Sequence, residues 1–401
     1  MPRRRWTIAA LIATAIAISY FDRQTLPVAI KAIQREIPIS NLQFGELNVA
    51  FLLAYAAMYA GGGKLVDKLG TRLGFLLIMI WWSLACASHS LAINFGMLAA
   101  SRLLLGMGEG GGFPAATKAI AEWFPSHERS TAMGIVNAGT AVGAVIAPPG
   151  IALIITTLNW RWVFVFAGAT GLLWSLWWWR SYFPPARQER TDEPKIPWLR
   201  LLAIRQVQSL VCAKFLSDAA WFVYMSWLAK YLYDVRGFDT AHVGYFAWIP
   251  FAASGVGSLM GGWFSSRLLR GGQSLNRSRK IALGASAGVM PFIFFVTAAP
   301  VELAIVLFSL AFFGQQSWST LVMTLPADMF PRNAVGSVAG LVGMGGALGG
   351  AVFNLVVGYM LDQGMGYTAV FGMLSTFHVL AFCIIMVGVR QVRPLELEEI
   401  L

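Results

Sequence analysis

Residues 18–26 read Ile18-Ser19-Tyr20-Phe21-Asp22-Arg23-Gln24-Thr25-Leu26, and they place an acid beside a base. The stretch lies near the middle of an apolar run that extends from about Trp6 to about Ile30. An ionised pair at bilayer depth is costly unless it has partners or faces a wet cavity. The stretch therefore predicts a membrane-spanning helix that carries a functional pair of charges.

The composition of the whole chain also indicates a membrane protein. Of its 401 residues, 57% are hydrophobic and only 12% are charged, whereas about 25% are charged in an ordinary soluble domain. The mean hydropathy is +0.64. The apolar runs are continuous and do not alternate, which favours helical spans over the strands of a membrane β-barrel. We therefore predict an all-α membrane protein.

Apolar runs of about 20 residues, the length that crosses a bilayer, predict twelve transmembrane helices. The runs are approximately 6–30, 44–63, 72–91, 94–117, 129–156, 160–183, 207–232, 239–265, 280–299, 301–324, 335–361 and 366–389. One long polar stretch separates the first six from the last six. The predicted organisation is an N-terminal half over 1–183, a cytoplasmic linker over 184–206 and a C-terminal half over 207–401.

The basic residues outside the spans are strongly biased to one side of the predicted topology. If the N-terminus is cytoplasmic, most of the 30 Lys and Arg residues fall on the cytoplasmic side. This bias matches the positive-inside rule and puts both termini in the cytoplasm. The net charge of +11 then reflects orientation and contact with anionic lipid headgroups, so we predict no nucleic-acid partner.

The two halves repeat each other. Glu122-Trp123-Phe124-Pro125 leads into a small-residue span, and Asp328-Met329-Phe330-Pro331 does the same 206 residues later. Transporters built from parallel repeats bind their substrate near the bilayer midplane, at the interface of the repeats. The repeat therefore predicts two parallel six-helix halves with a midplane site.

The stretch Gly63-Lys-Leu-Val-Asp67-Lys-Leu-Gly70-Thr-Arg72 resembles the loop between the second and third helices of the major facilitator superfamily. That resemblance implies a conformational latch formed by Gly63, Asp67, Gly70 and Arg72. Asp67 would lie near a helix end, where it can meet basic groups and the N-terminus of a neighbouring helix. In the family this contact holds the outward-open state.

More narrowly, the chain resembles the anion:cation symporter family, and within it the bacterial hexuronate transporters. The matching segments are Tyr20-Phe21-Asp22-Arg23, Gly108-Glu109 through Phe113-Pro114, Glu122-Trp123-Phe124-Pro125, Asn137 through Pro149, Lys214 through Trp221, Phe246 through Pro250, and Gln316-Ser-Trp318-Ser. The resemblance covers nearly the whole chain. It implies that Asp22 and Glu109 are proton-titrating acids and that Arg23 and Tyr55 contact substrate.

The charges predicted to lie inside the spans balance. The acids are Asp22, Glu109 and Asp218, and the bases are Arg23, Arg102 and Lys214. A low-dielectric interior tolerates charges only when they are compensated. A bound anion adds one negative charge, and a proton on one acid restores neutrality. This balance suits a proton-coupled carrier of anions.

The roles of the bases leave alternatives. Arg23 either binds a substrate carboxylate, which suits its bidentate fork, or is a structural partner of Asp22 and Glu109. Arg102 is expected to tune Glu109. Lys214 and Asp218 are four residues apart on one helix face, and they form either a neutral internal salt bridge, with Asp218 tuning the charge, or a substrate or gating site.

Polar and aromatic side chains of the seventh and tenth spans are candidate sugar contacts. Amides and hydroxyls can pair with sugar hydroxyls, and flat rings can stack on a sugar face. The candidates are Trp221, Tyr224, Gln315, Gln316, Trp318 and Ser319. The three cysteines have no metal-ligand spacing, and no phosphate-cradling Gly-Lys-Ser/Thr loop is present, so we expect no metal, cofactor or ATP.

We therefore predict a proton-coupled symporter, not an enzyme, that imports a hexuronate such as glucuronate or galacturonate. It would be a multi-pass and monomeric protein of a bacterial inner membrane. Other organic anions stay open as substrates, namely an aldonate, tartrate or a phthalate-type aromatic acid. Sodium coupling and a non-transporting anion sensor also stay open.

Overall fold

The computed structural model of the chain describes residues 2–124, 126–183 and 197–395. In these residues the secondary structure is helical throughout, with no strand, and the predicted all-α class is confirmed. The α-helices are α1 (Pro2–Gln34), α2 (Asn41–Leu69), α3 (Thr71–Ser88), α4 (Phe95–Glu109), α5 (Gly112–Trp123), α6 (Ser126–Thr157), α7 (Trp160–Ser181), α8 (Trp198–Ala203), α9 (Arg205–Asp234), α10 (Thr240–Phe246), α11 (Trp248–Arg270), α12 (Leu275–Gly288), α13 (Val301–Met329), α14 (Arg332–Asp362) and α15 (Gly366–Gly388). Short 3₁₀-helices cover His89–Leu91 and Met290–Thr297.

Every predicted span coincides with a helix or with two consecutive helices. The fourth span is α4 followed by α5, the eighth is α10 followed by α11, and the ninth is α12 extended by the second 3₁₀-helix. Among the described residues, eight segments are long and apolar enough to cross a membrane. The other four predicted spans are α1, α2, α4 with α5, and α9, and three of these carry the interior charges.

Local sequence signals explain several helix boundaries. Ser40 and Gln43 form a capping box, in which each side chain pairs with the other residue's backbone N–H, and α2 begins there. Asn94 caps α4 by accepting a hydrogen bond from the backbone N–H of Met97. Gly70 separates α2 from α3 with a φ of 78°, a left-handed conformation that glycine adopts without strain.

Contacts between Cα atoms divide the chain into two compact units. Unit 1 contains residues 1–190 and 225–248, and unit 2 contains residues 191–224 and 249–401. The second half of α9 and the whole of α10 thus pack with the N-terminal helices. Within unit 1, the Tyr233 hydroxyl donates to the Val28 carbonyl over 2.7 Å, and the rings of Phe44 and Trp227 lie 4.9 Å apart.

The core of unit 2 is a continuous apolar cluster at one end of α9, α12, α13, α14 and α15. Its largest members include Trp318, Met329 and Phe330. Part of this core lies in segment 184–206, which the sequence predicts as a linker. Residues 184–196 are outside the described residues, whereas α8 packs Leu201 into the cluster. The boundaries of the halves at 183 and 207 stay a prediction.

Glycines let two helix pairs pack backbone against backbone at equivalent positions. In unit 1, a methyl group on Gly143 of α6 would overlap the carbonyl oxygen of Ala17 in α1. In unit 2, a methyl group on Gly349 of α14 would overlap the carbonyl oxygen of Phe215 in α9. Gly349 follows Gly143 by the same 206 residues that separate the two Phe-Pro motifs. Close helix packing through small residues is therefore present in both units.

We expect Gly349→Ala to destabilise the protein by about 1–3 kcal/mol, the usual cost of overpacking. The added methyl group meets backbone, which cannot move as a flexible side chain would. Thermal unfolding of the purified protein in detergent measures the effect. Gly340→Ala on the same helix is the matched control, because nothing lies within 4 Å of a methyl group there. Equal midpoints for the two variants would contradict the close contact.

Candidate substrate and coupling sites

A buried ion pair joins α1 to α4 inside unit 1. Arg23 donates from Nε to Oε2 of Glu109 over 2.8 Å, and the two side chains are 5% and 0% exposed. Ser19, one turn earlier on α1, donates its hydroxyl to the same carboxylate oxygen over 2.6 Å. Such charge-assisted hydrogen bonds are strong in a dry interior. One face of α1 therefore donates two hydrogen bonds to the same carboxylate oxygen of Glu109.

The guanidinium of Arg23 is enclosed by aromatic rings. Its central carbon lies 4.7 Å from the ring centroids of both Tyr20 and Tyr55 and 5.6 Å from that of Phe51. The rings favour a cation by their quadrupole. Only Nε is engaged with Glu109, and no described residue accepts a hydrogen bond from the two terminal nitrogens. These nitrogens keep the geometry for a bidentate contact with a carboxylate.

Glycines explain how the end of α4 that carries Glu109 comes close to α2. A methyl group on Gly106 would overlap the carbonyl oxygen of Phe51, and one on Gly110 would overlap that of Tyr55. Glu109 is the last residue of α4, and the chain turns before α5 begins. The glycine run, which the sequence analysis places inside one uninterrupted span, thus breaks the helix beside the acid.

Asp22 and Arg102 lie in the same charged cluster without hydrogen-bond partners. Both carboxylate oxygens of Asp22 are buried and accept no hydrogen bond of ordinary geometry from the described residues, although the side chains of Trp82 and Cys86 lie close to them. Nε and Nη2 of Arg102 donate no hydrogen bond to the described residues. Arg102 and Glu109 are both electrostatic neighbours of Asp22. Consecutive helix residues point about 100° apart, and Arg23 accordingly pairs with Glu109 rather than with Asp22. Buried polar atoms without partners are uncommon and call for water or a ligand.

Unit 2 contains a second polar cluster, centred on α9. Lys214 and Asp218 form the expected pair, with 2.9 Å between Nζ and Oδ1. Lys214 also donates to the Ser319 hydroxyl over 2.6 Å. Gln315 donates from Nε2 to Oδ1 of Asp218 over 3.2 Å. The structure thus brings together two residues of the seventh span and two of the tenth.

Gln315 occupies the position in unit 2 that Glu109 occupies in unit 1. It follows Glu109 by 206 residues, the period of the repeat. Each residue directly follows a glycine that packs closely on the neighbouring span, Gly108 on Trp82 and Gly314 on Val289. An amide therefore replaces a carboxylate in the second copy of the site.

The remaining candidate sugar contacts differ in exposure. Trp221 and Tyr224 are buried, and both pack against Phe312, at ring distances of 5.4 and 5.9 Å. The Tyr224 hydroxyl and the Trp318 indole N–H have no hydrogen-bond partner among the described residues. Trp318 is completely buried in the core of unit 2, whereas Gln316 is half-buried. Sugar contacts from these residues stay a prediction.

The predicted latch is described in part. The surroundings of Gly63 and the side chain of Asp67 lie outside the described residues. Arg72 donates to the Trp179 carbonyl over 2.7 Å, and its guanidinium carbon lies 4.2 Å from the Trp179 ring and 4.3 Å from the Phe183 ring. Arg72 is therefore held against α7, and the latch function stays a prediction.

Sequence reasoning missed an ion pair at the equivalent end of unit 2. Arg279 of α12 donates to both carboxylate oxygens of Asp328, over 2.7 and 3.2 Å, and to the Ser265 hydroxyl over 2.9 Å. Asp328 belongs to the second copy of the Phe-Pro motif, so the repeat was a signal that could have found it. Sequence reasoning also missed His378 of α15, which contacts Gln315 of the unit 2 cluster.

Comparisons with known proteins place the chain among membrane transporters. The profile of the family described as Major Facilitator Superfamily matches residues 12–354. The chain is 30% identical to the hexuronate transporter of Escherichia coli K12 over 422 aligned residues, which cover 98% of this chain and 96% of that protein. It is 28% identical to the D-galactonate transporter of Escherichia coli O6:H1, with 91% of each covered. It is also 28% identical to the hexuronate transporter of Bacillus subtilis, with 94% and 92% covered.

A solved structure shows the same fold. A bacterial homologue of the human lysosomal transporter Spinster, in an inward-facing and occupied conformation, matches with a TM-score of 0.79. The match covers 98% of this chain and 97% of that chain at 17% sequence identity.

Proposed function

Because the chain belongs to the Major Facilitator Superfamily, we propose that it is a proton-coupled symporter that imports a hexuronate such as glucuronate or galacturonate by alternating access. The chain is a membrane transporter and not an enzyme, and the family resemblance predicted from its motifs is confirmed. The acidic sugar class is supported by its similarity to transporters of hexuronates, galactonate and galacturonate.

One observation carries the proposal: Arg23 is fixed to Glu109 through Nε, while no described residue accepts a hydrogen bond from its terminal nitrogens. A bound sugar carboxylate would occupy those nitrogens and compete with Glu109 for the same positive charge. A proton on Glu109 would release the arginine to the substrate. Binding of proton and anion would thereby favour each other, which is what symport requires.

The membrane potential gives a second argument for coupling. A potential of 100 mV, negative inside, opposes entry of a monoanion by about 2.3 kcal/mol. Entry together with one proton is electroneutral, and entry with more than one proton is driven by the potential. Asp22 and Glu109 are two buried acids beside two buried arginines, and we assign both acids to proton coupling.

The proposal also covers the location, topology and oligomeric state of the protein. We propose a monomer in a bacterial inner membrane. Both termini would lie in the cytoplasm, because most of the 30 basic residues fall on one side of the spans. A reporter enzyme that is active only in the cytoplasm should be active when it is fused to the C-terminus. A reporter that is active only in the periplasm should be inactive there, and its activity would refute the proposed topology.

Uptake into proteoliposomes tests the transport proposal directly. With an alkaline interior, we expect labelled glucuronate or galacturonate to accumulate well above its equilibrium level, and dissipation of the pH gradient to abolish that accumulation. A sodium gradient alone should not drive uptake. Uptake that follows sodium and ignores pH would refute proton coupling.

A panel of competing acids tests the substrate. Glucuronate and galacturonate should compete more strongly than galactonate, tartrate or phthalate. Clear competition by phthalate, with none by the hexuronates, would refute the proposed substrate class in favour of an aromatic acid. Binding of hexuronate without uptake would indicate a sensor instead.

A further inference from the structure

A chain of hydrogen bonds links the last helix of unit 2 to the charged pair of α9. His378 contacts the Oε1 atom of Gln315 through Nε2. Gln315 donates from its other end to Asp218 over 3.2 Å, and Asp218 pairs with Lys214 over 2.9 Å. His378 and Gln315 are both buried, with 0% and 1% exposure. Three helices, α9, α13 and α15, therefore contribute to one buried polar chain.

The acceptor at the centre of the chain decides the direction of every bond. The Asp218 carboxylate beside Lys214 can only accept, so the end of Gln315 that faces it must be the NH₂ group. The carbonyl of Gln315 then faces α15, and a carbonyl can only accept. His378 must therefore donate from Nε2, which leaves Nδ1 without a proton in the neutral ring. Nδ1 is buried and has no partner among the described residues.

Packing holds each member of the chain in place. The His378 ring lies 5.7 Å from the Trp318 ring in an edge-to-face arrangement. On the other side, Oδ2 of Asp218 fills the space that a side chain at Gly346 would need. A carboxylate at position 315, like that of Glu109 in unit 1, would need no neighbour to fix its orientation, because its two oxygens are equivalent. An amide does, because its two ends are alike in shape and opposite in hydrogen bonding.

We propose that His378 is a positioning residue, which as a neutral Nε2–H imidazole holds the Gln315 amide with its donor end toward Asp218 and so keeps Lys214 and Ser319 in place for an acidic sugar. Without His378, the amide can turn its carbonyl toward the Asp218 carboxylate. The Lys214–Asp218 pair would then shift away from the geometry that the substrate meets. The link to sugar binding rests on the proposed function, whereas the hydrogen-bond direction does not.

Nitrogen-15 NMR of histidine-labelled protein tests the bond direction without any transport assay. The chain has four histidines, and His378→Gln identifies the His378 signal by its loss. We expect the His378 signal to be that of the neutral Nε2–H form. His89 provides an internal contrast, because its Nδ1 lies 3.0 Å from the carbonyls of Ala85 and Cys86 and must carry the proton. An Nδ1–H or doubly protonated His378 would overturn the proposal.

Kinetics test the positioning role. We expect His378→Leu to raise the KM for glucuronate about tenfold, because it would disturb the buried hydrogen bond from Gln315 to the charged Asp218. His378→Gln keeps a donor near the Nε2 position and should stay within about threefold of the parent. His242→Gln, at an exposed site, is the control and should leave KM unchanged. A rise in KM for His378→Gln as large as that for His378→Leu would contradict the role of the hydrogen-bond donor.

A double-mutant cycle with Gln315→Met separates positioning from general packing. If His378 acts through Gln315, His378→Leu should add little to the KM of Gln315→Met. A further tenfold rise in the double variant would show that His378 acts independently and would overturn the proposal. If hexuronates are not substrates, all variants fail in the kinetic assay alike, while the NMR result still decides the direction of the chain.

Discussion

Replacing Glu109 with glutamine is expected to abolish accumulation of hexuronate above its equilibrium level under a pH gradient, because an amide cannot carry the coupled proton. Glutamine keeps the shape of the side chain and can still accept from Ser19, but it cannot bind or release a proton. It leaves Arg23 without its buried counter-charge. The measurement is uptake of labelled glucuronate into proteoliposomes under a pH gradient.

Exchange across the membrane distinguishes lost coupling from lost folding. A neutral residue at 109 imitates the protonated acid, so exchange of labelled for unlabelled hexuronate without a gradient should persist in Glu109→Gln. Glu302→Gln, at an exposed carboxylate in the first turn of α13, should accumulate substrate as the parent does. Normal accumulation by Glu109→Gln would remove Glu109 from the coupling mechanism.

Replacing Arg23 with lysine is expected to raise the KM for glucuronate about 100-fold, because the substitution keeps the charge but removes the planar fork. Arg23 uses Nε for Glu109 and is flanked by Tyr20 and Tyr55. A lysine ammonium has no planar fork and cannot make the bidentate contact with a substrate carboxylate that Arg23 can make. Direct binding of glucuronate by isothermal titration should show the same loss of affinity.

A second stacked arginine supplies the matched control. Arg236 lies 5.5 Å from the Tyr231 ring and donates from Nε to the Tyr231 hydroxyl over 2.8 Å. Arg236→Lys therefore removes a similar cation–aromatic contact near the end of α9, away from the buried acids. We expect its KM to change less than about twofold, as for most surface substitutions. Unchanged affinity in Arg23→Lys would assign Arg23 a purely structural role.

The helices and the repeat could be predicted from the sequence because their signals are local. Apolar runs have the length of a membrane span, and the Phe124-Pro125 and Phe330-Pro331 motifs recur at one period. The period also relates Gln315 of the second half to Glu109 of the first. The break after Glu109 was missed because glycine is common in membrane helices, so a run of it does not by itself mark a turn.

The sequence left the partner of Arg23 open between Asp22 and Glu109, because helix rotation and tertiary contact decide which of them it meets. Adjacent in sequence, Asp22 and Arg23 suggested a pair, yet Arg23 pairs with Glu109 of α4. Likewise, Lys214 and Asp218 were recognisable at helical spacing, whereas the contact of His378 with Gln315 joins residues 63 positions apart. The balance of acids and bases predicted that the charges inside the spans compensate one another, but not which atoms form the ion pairs.

The distance in sequence between Arg23 and Glu109 affects how the protein is made. Arg23 leaves the ribosome 86 residues before its partner, which corresponds to roughly 4–17 s at usual rates of synthesis. During this interval α1 reaches the membrane with an arginine that has no counter-charge on another helix. Asp22 supplies an opposite charge on the same helix, so the charges in the middle of α1 are balanced when the helix is inserted. Asp22 would thus compensate the charge of Arg23 during membrane insertion, before Glu109 has been synthesised.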